Sequence, residues 1–181
     1  MGIEARGKEI FPIMGELDAQ VVADSARAAG LLSPTEELPR AESGLLPPRP
    51  PVLCPGCTHR GVFHITKKLN LVVNGDIGCY TLGFLPPLSA LHTCGCMGAS
   101  IGQAHGVSKA GIAQKHVAVI GDSTFFHTGM PALLNVAYNQ SDTVVIIVDN
   151  RTTAMTGHQQ HPGTGMTLMG QPTTGVEFDD L

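Results

Sequence analysis

Two polar runs, each closing an apolar stretch, constrain this 181-residue chain more than anything else in it. Val117-Ala118-Val119-Ile120 runs into Gly121-Asp122-Ser123-Thr124, and Thr143-Val144-Val145-Ile146-Ile147-Val148 runs into Asp149-Asn150-Arg151-Thr152. Between them Met130 to Tyr138 carries a proline suited to a first helical turn and reads as a helix. A right-handed crossover sets the two strands parallel and brings both polar ends to one edge of the sheet. Open α/β sheets bind ligands at that edge. A carboxylate and a carboxamide there are hard oxygen ligands of the kind Mg²⁺ takes between a protein and a phosphate. Gly-Asp and Asp-Asn are also ordinary turn dipeptides. Their pairing at one βαβ spacing, each behind a buried strand, makes Asp122 and Asn150 a candidate metal–diphosphate site.

Composition narrows the function classes. With a net charge of −4 and 14% charged residues, nothing suggests a nucleic-acid surface. No apolar run reaches the length of a membrane span. Met1 to Arg6 lacks an apolar secretory core, so the expected location is cytoplasmic. The five cysteines, at 54, 57, 79, 94 and 96, form an odd and clustered set that reads as metal or redox chemistry before disulfides. The 22 glycines suit a fold that brings backbone close to a bound ligand.

Residues 1–50 read as an N-terminal segment: a helix over 16–29 stopped by Gly30, then a linker punctuated by Pro34, Pro39, Pro47, Pro48, Pro50 and, at its end, Pro51. A compact domain is expected over 51–181. Its reading is a helix at 59–68, a buried strand at 69–73, a helix at 98–109, a strand at 117–120, a helix at 130–139 and a strand at 143–148. Gly98, Gly102 and Gly106 cost a helix about 1 kcal/mol each and so suggest close helix or ligand approach. Leu133, Val136 and Ala137 read as a core stripe. Beyond Thr152 the chain lacks periodicity and reads as a long, ligand-ordered loop. Phe178 to Leu181 completes no element, so the chain is expected to be a fragment of a longer one. Among the histidines, His59 and His92 are candidates for cofactor or substrate contact. His64, His105, His116 and His127 read as surface residues, and His158 and His161 are divided between packing and substrate-side roles.

Gly121-Asp122-Ser123, twenty-five residues, then Asp149-Asn150 resembles the thiamine diphosphate motif, with Ser123 for the usual Gly and Asp149 for the first Asn. Cys54-Pro55-Gly56-Cys57, Gly75-Asp76-Ile77-Gly78-Cys79 and Thr93-Cys94-Gly95-Cys96-Met97-Gly98-Ala99 narrow the resemblance to the 2-oxoacid:ferredoxin oxidoreductases. Within them the likeness is to the diphosphate-binding part of the large (alpha) subunit of the indolepyruvate-type enzymes. It implies an α/β parallel-sheet thiamine diphosphate-binding fold with helices on both faces. It also implies Asp122, Asn150 and the Thr152 carbonyl as Mg²⁺ ligands. Cys79, Tyr80, Thr81, Met97, Gly98, Gly121, Ser123, Thr124, Met155 and Thr156 would join Asp122 and Asn150 around the cofactor.

The activity implied is oxidative decarboxylation of an aryl 2-oxoacid to the acyl-CoA, with electrons passed through iron–sulfur clusters to ferredoxin. Partners implied are a small (beta) subunit and an N-terminal pyrimidine-binding domain, which no segment here can be. The chain is therefore expected not to turn over alone. Cys54, Cys57 and Cys79 match three ligands of a [4Fe–4S] cluster found in related oxidoreductases, but no cysteine follows Cys96 to be the fourth. Reduced cysteines lining the cofactor pocket are the preferred reading. The alternatives are a non-redox thiamine diphosphate-dependent decarboxylase, against which the Cys-Pro-Gly-Cys run argues, and a non-catalytic module with a zinc-binding CxxC.

Overall fold

The computed structural model describes residues 7–33 and 47–181, and the chain divides into two units, Met1–Pro48 and Arg49–Leu181. In the first, helix α1 (Ala19–Ala28) starts three residues later than the pattern predicts, because the Asp18 side chain accepts from the Val21 N–H at 2.8 Å and fixes the cap there. Pro34 and Pro39, with the middle of the expected linker, lie outside the described residues. Pro47, Pro48, Pro50 and Pro51 lie in chain without helix or strand.

The second unit is built on four parallel strands, β1 (Val72–Gly75), β2 (Thr93–Cys94), β3 (His116–Gly121) and β4 (Val144–Val148), in the order β2-β1-β3-β4. Side chains alternate across a strand, and β3 shows what each face holds. Val117 and Val119 pack with Phe63 of helix α2 (His59–Lys68), Val73 and Tyr80. Ala118 and Ile120 pack on the other face with Ile101 and Ala104 of helix α3 (Ala99–Lys109). That face also holds Phe125 and Val136. Helices therefore cover both faces, and β3 is apolar along its buried length because neither side meets water.

The strand order places the site. From β1 the chain moves outward to β2, whereas from β3 it moves outward to β4. The carboxyl ends of β1 and β3 thus part in opposite directions and leave a crevice between them, the position at which open α/β sheets take ligands. Gly75-Asp76 and Gly121-Asp122 both end at this crevice. After Gly121 the backbone turns at once into helix: α4 (Asp122–Thr124), a π-helical turn (Phe125–Gly129) and α5 (Met130–Tyr138), with Pro131 in its first turn.

Three expectations are corrected. The strand expected at 69–73 runs over Val72–Gly75, because the Leu69 N–H still bonds Ile65 of α2 and Asn70 turns the chain at φ +54. Gly102 and Gly106 face open space, and the small residues that let α3 approach its neighbours are Ser100 and Ala104. Of the proposed core stripe only Val136 is buried; Leu133 and Ala137 lie on the outer face of α5.

Phe63 is fully buried between α2 and the sheet, and its ring fills the space that a Cβ on Gly83 would occupy. Phe63→Ala is expected to lower unfolding free energy by about 3–5 kcal/mol in denaturant titration, with the spread set by how far the site collapses.

Candidate functional site

The crevice opens into a cavity that gathers residues from five segments. The chain after β1 supplies Ile77, Gly78, Cys79 and Tyr80, and α2 supplies His59 at its first turn. Met97 comes from the turn leading into α3, and Gly121, Asp122, Ser123 and Thr124 from the end of β3 and the turn after it. Val148, Asn150 and Thr152 to Thr156 complete the wall. Of the expected site residues, then, Cys79, Tyr80, Met97, Gly121, Asp122, Ser123, Thr124, Asn150, Thr152, Met155 and Thr156 line one cavity. Thr81 and Gly98 do not. Thr81 Oγ1 accepts from the Gly78 N–H at 3.0 Å and donates to the Asp76 carbonyl at 2.5 Å, which folds the 3₁₀ turn Cys79–Phe84 back on itself. Gly98 precedes α3 at φ +85, and a Cβ there would overlap the Thr128 side chain.

Asp122 is the electrostatic centre of the site. Only 3% of its surface is exposed. Burial pushes its carboxyl above the usual carboxylate range, the Ser123 N–H pulls against this, and the neighbouring Asp149 adds to the rise. Burial acts to raise Asp149 as well, but the Arg151 N–H, Asp122 and the Arg151 guanidinium outweigh it and hold Asp149 below its ordinary value. Asp149 Oδ1 accepts that N–H at 2.8 Å, and Arg151 Nε pairs with Oδ2 at 2.9 Å. Asn150 Oδ1 accepts from the Thr152 N–H at 3.2 Å. Thr153 closes this loop onto the end of β3 by donating to Ser123 Oγ at 2.7 Å.

Two contributors were not among the expected site residues: one the sequence reading left between packing and a substrate-side role, the other it did not single out. His161 is buried, with Nε2 3.1 Å from Asp122 Oδ2. Its Nδ1 accepts from the Gly163 N–H at 3.2 Å, so in the neutral ring the proton sits on Nε2 and faces the carboxylate. The approach lacks the alignment of a hydrogen bond, and Asp122 Oδ2 has no donor of its own. His161 stacks on Phe126, which stacks on Phe178, so the aperiodic loop is ordered by its own packing. The second is Asp76, fully buried, which accepts from the Tyr80 hydroxyl and, at 3.1 Å, from the Ser100 N–H at the start of α3. It ties the turn after β1 to that helix. Burial, with Asp76 adding to it, drives the Tyr80 phenol far above its ordinary value, so it remains a donor.

Other candidates fall elsewhere. His92 Nδ1 accepts from the Val73 N–H at 3.0 Å, a sheet-edge role away from the cavity. His158 is exposed at φ +61. His59 lines the cavity, and burial lowers its pKa, with Asp122 acting the other way. All five cysteines are unpaired. Among the described residues no group of three or more His, Cys, Asp or Glu side chains is arranged to hold a metal ion. None of the described helices is long and apolar enough to cross a membrane.

A cavity at the carboxyl end of a parallel sheet, closed on a buried carboxylate and walled by apolar groups such as Met97, Val148 and Met155, defines a class, and comparison agrees. The chain belongs to the family of thiamine pyrophosphate enzymes, through their C-terminal TPP-binding domain, whose model matches residues 76–180. It is 42% identical over 192 residues to the indolepyruvate oxidoreductase subunit IorA of Pyrococcus abyssi, a match covering 94% of this chain and 30% of that protein. It is 46% identical over 140 residues to the subunit of the same name from Archaeoglobus fulgidus, covering 75% and 22%. With the Methanothermobacter marburgensis subunit the figures are 45% over 149 residues, 77% and 24%. The chain thus spans under a third of the length of these relatives. No solved structure matches it.

Arg151, at φ +56, joins Glu177 through two hydrogen bonds of 3.0 and 2.8 Å and the Gly163 carbonyl through a third of 3.2 Å. Arg151→Ala is expected to speed amide hydrogen exchange at Gly163, Thr164 and Val176 while leaving β1 and β3 protected. Uniform exchange across the unit would contradict a local strap.

Proposed function

We propose that this chain is the cofactor-holding part of a thiamine diphosphate-dependent oxidoreductase for aryl 2-oxoacids of the indolepyruvate type. In this reading residues 51–181 bind the diphosphate through Mg²⁺, which takes the Asp122 carboxylate, the Asn150 carboxamide oxygen and the Thr152 carbonyl. One observation carries it: a buried carboxylate oxygen, Asp122 Oδ2, stands without a hydrogen-bond donor at the sheet's switch point. Among the described residues lining the cavity there is no Lys or Arg. Arg151 is itself committed to Asp149 and Glu177. An anionic diphosphate beside Asp122 and Asp149 therefore needs a divalent cation between the charges, and the raised Asp122 carboxyl is the group such a cation relieves. When bound, thiamine diphosphate supplies a nucleophilic carbon and an electron sink for decarboxylating a 2-oxoacid.

The chain's own residues bind and orient. Asp122 is aimed by the start of helix and by His161, and Asn150 by the turn that its Oδ1 forms with Thr152. Met97 and Met155 supply polarizable apolar walls on which a planar heterocycle can rest. The name the relatives share, indolepyruvate oxidoreductase subunit, supports the indolepyruvate substrate and a partner subunit. Coenzyme A as acyl acceptor, ferredoxin as electron acceptor and a pyrimidine-binding domain supplied from elsewhere complete the proposal, in a cytoplasmic enzyme.

Thermal unfolding with thiamine diphosphate and Mg²⁺ together tests this. Ligand at 100 Kd is expected to add about 2.7 kcal/mol of stability, with chelation of Mg²⁺ or Asp122→Ala removing the gain. A gain seen only in a chain extended to the length of the relatives would assign binding to a jointly formed site. A gain in neither, or one indifferent to Asp122, would overturn the proposal.

A further inference from the structure

The Cys-Pro-Gly-Cys run is not used by the site, yet it is built. The Cys57 N–H donates to the Cys54 carbonyl at 3.1 Å, and Gly56 lies at φ +73. Proline second and a left-handed glycine third make this a type II turn. Such turns hold the first and fourth Cα atoms within about 7 Å of each other. A disulfide spans about 4.4–6.8 Å between Cα atoms. The backbone is therefore already closed to the separation that a bond between the two sulfurs requires. Arg60 fastens it there: Nε donates to the Cys54 carbonyl at 3.2 Å and Nη2 to the Leu53 carbonyl at 2.5 Å, with Leu53 buried. Cys54 is exposed and Cys57 half-buried, so a soluble reagent reaches the first thiol and the second waits behind it.

The other close pair differs. Cys94 ends β2 and Cys96 lies two residues on, where no turn hydrogen bond draws the two together. The position of the closed pair is also informative. His59, two residues past Cys57, lines the cofactor cavity, and so does Cys79. Burial raises the Cys79 thiol, and Cys57 and Cys54 add to the rise.

We propose that Cys54 and Cys57 form a reversible dithiol–disulfide couple at the rim of the cavity, with small soluble disulfides as its oxidants. The Cys54 thiolate attacks one sulfur of the oxidant RSSR, forming a mixed disulfide and releasing one RS⁻. The Cys57 thiolate then attacks the Cys54 sulfur, which forms the intramolecular bond and releases the second RS⁻. Two electrons pass from the protein dithiol to RSSR, and the two thiol protons leave with the RS⁻ groups as two RSH. A dithiol reductant reverses both steps. None of this depends on the cofactor proposed above.

The test uses the whole 181-residue chain. Reduced protein is equilibrated without air in glutathione buffers from fully reduced to fully oxidised, quenched in acid, alkylated and mapped by peptide mass spectrometry, with iron and zinc measured on the reduced sample. In the oxidised buffers the peptide holding Cys54 and Cys57 should be two hydrogens lighter and carry no alkyl group. Dithiothreitol should return two alkyl groups to it. Cys57→Ser should instead trap glutathione on Cys54, and the Cys94→Ser, Cys96→Ser double variant should leave the couple unchanged. Free alkylation of Cys54 and Cys57 after the most oxidising buffer would overturn the proposal. So would a bond from either to another cysteine, or iron or zinc bound stoichiometrically where it blocks their alkylation.

Discussion

A carboxylate taken out of water at the end of a central strand has to be compensated, and the unit is arranged around that need at Asp122. Its backbone begins a helix, its carboxyl neighbours that of Asp149, and its Oδ2 meets an imidazole that does not complete a hydrogen bond. Burying such a group without a partner costs several kcal/mol. The sheet accepts it because the divergence of strands at β1 and β3 leaves a crevice where a charge-bearing ligand can reach it. The apolar half of the fold answers to the same position. Phe126 and Phe178 stack, with Phe125 edge-on to both, and this aromatic cluster carries His161 to within reach of the carboxylate.

The loop that follows β4 is ordered by chemistry local to the motif it leaves. Arg151, held in a left-handed conformation unusual for a side chain of its size, spends its guanidinium on Asp149, Glu177 and the Gly163 carbonyl. The strain at one residue is offset by four polar contacts. The outcome is that 151–177 returns to the sheet edge and presents His161, with the 3₁₀ turn Pro162–Thr164 capped by the same imidazole. In the cavity the arginine contributes nothing directly; its charge is consumed in holding the wall.

Much of this was legible from sequence where the pattern was periodic. β3, α5 and β4 follow from two apolar runs a crossover apart, whereas helices on both faces were expected from the family resemblance. The polar ends of those runs and the motifs of the resemblance together named thirteen candidate site residues, eleven of which line one cavity. What failed had specific causes. Thr81 and Gly98 sit within the motifs but serve the backbone, Thr81 through hydrogen bonds inside its turn and Gly98 through its crossing of Thr128. The glycines of α3 suggested close packing on spacing alone, whereas which face they occupy depends on the helix's rotation against the sheet. His161 stayed divided between two roles, and Asp76 was not singled out. One lies in an aperiodic loop, the other is a buried carboxylate whose partners, Tyr80 and Ser100, are set by the fold.

Tyr80 has a consequence of a different order. Its ring occupies the space a side chain would need at Gly78 and also at Gly121, where the nearest approach to an added Cβ would be 2.8 Å. Three positions from two distant motifs are thus locked to one another by volume, while the hydroxyl of the same ring is anchored to Asp76. Change at any one of them is penalised until another has changed, so this corner drifts as a block or stands still. A lineage that lost the ring first would find the two glycines suddenly free to vary. One that kept it would carry both unchanged through wide divergence elsewhere. The identity of residue 80 therefore forecasts which historical routes were open to the end of β3.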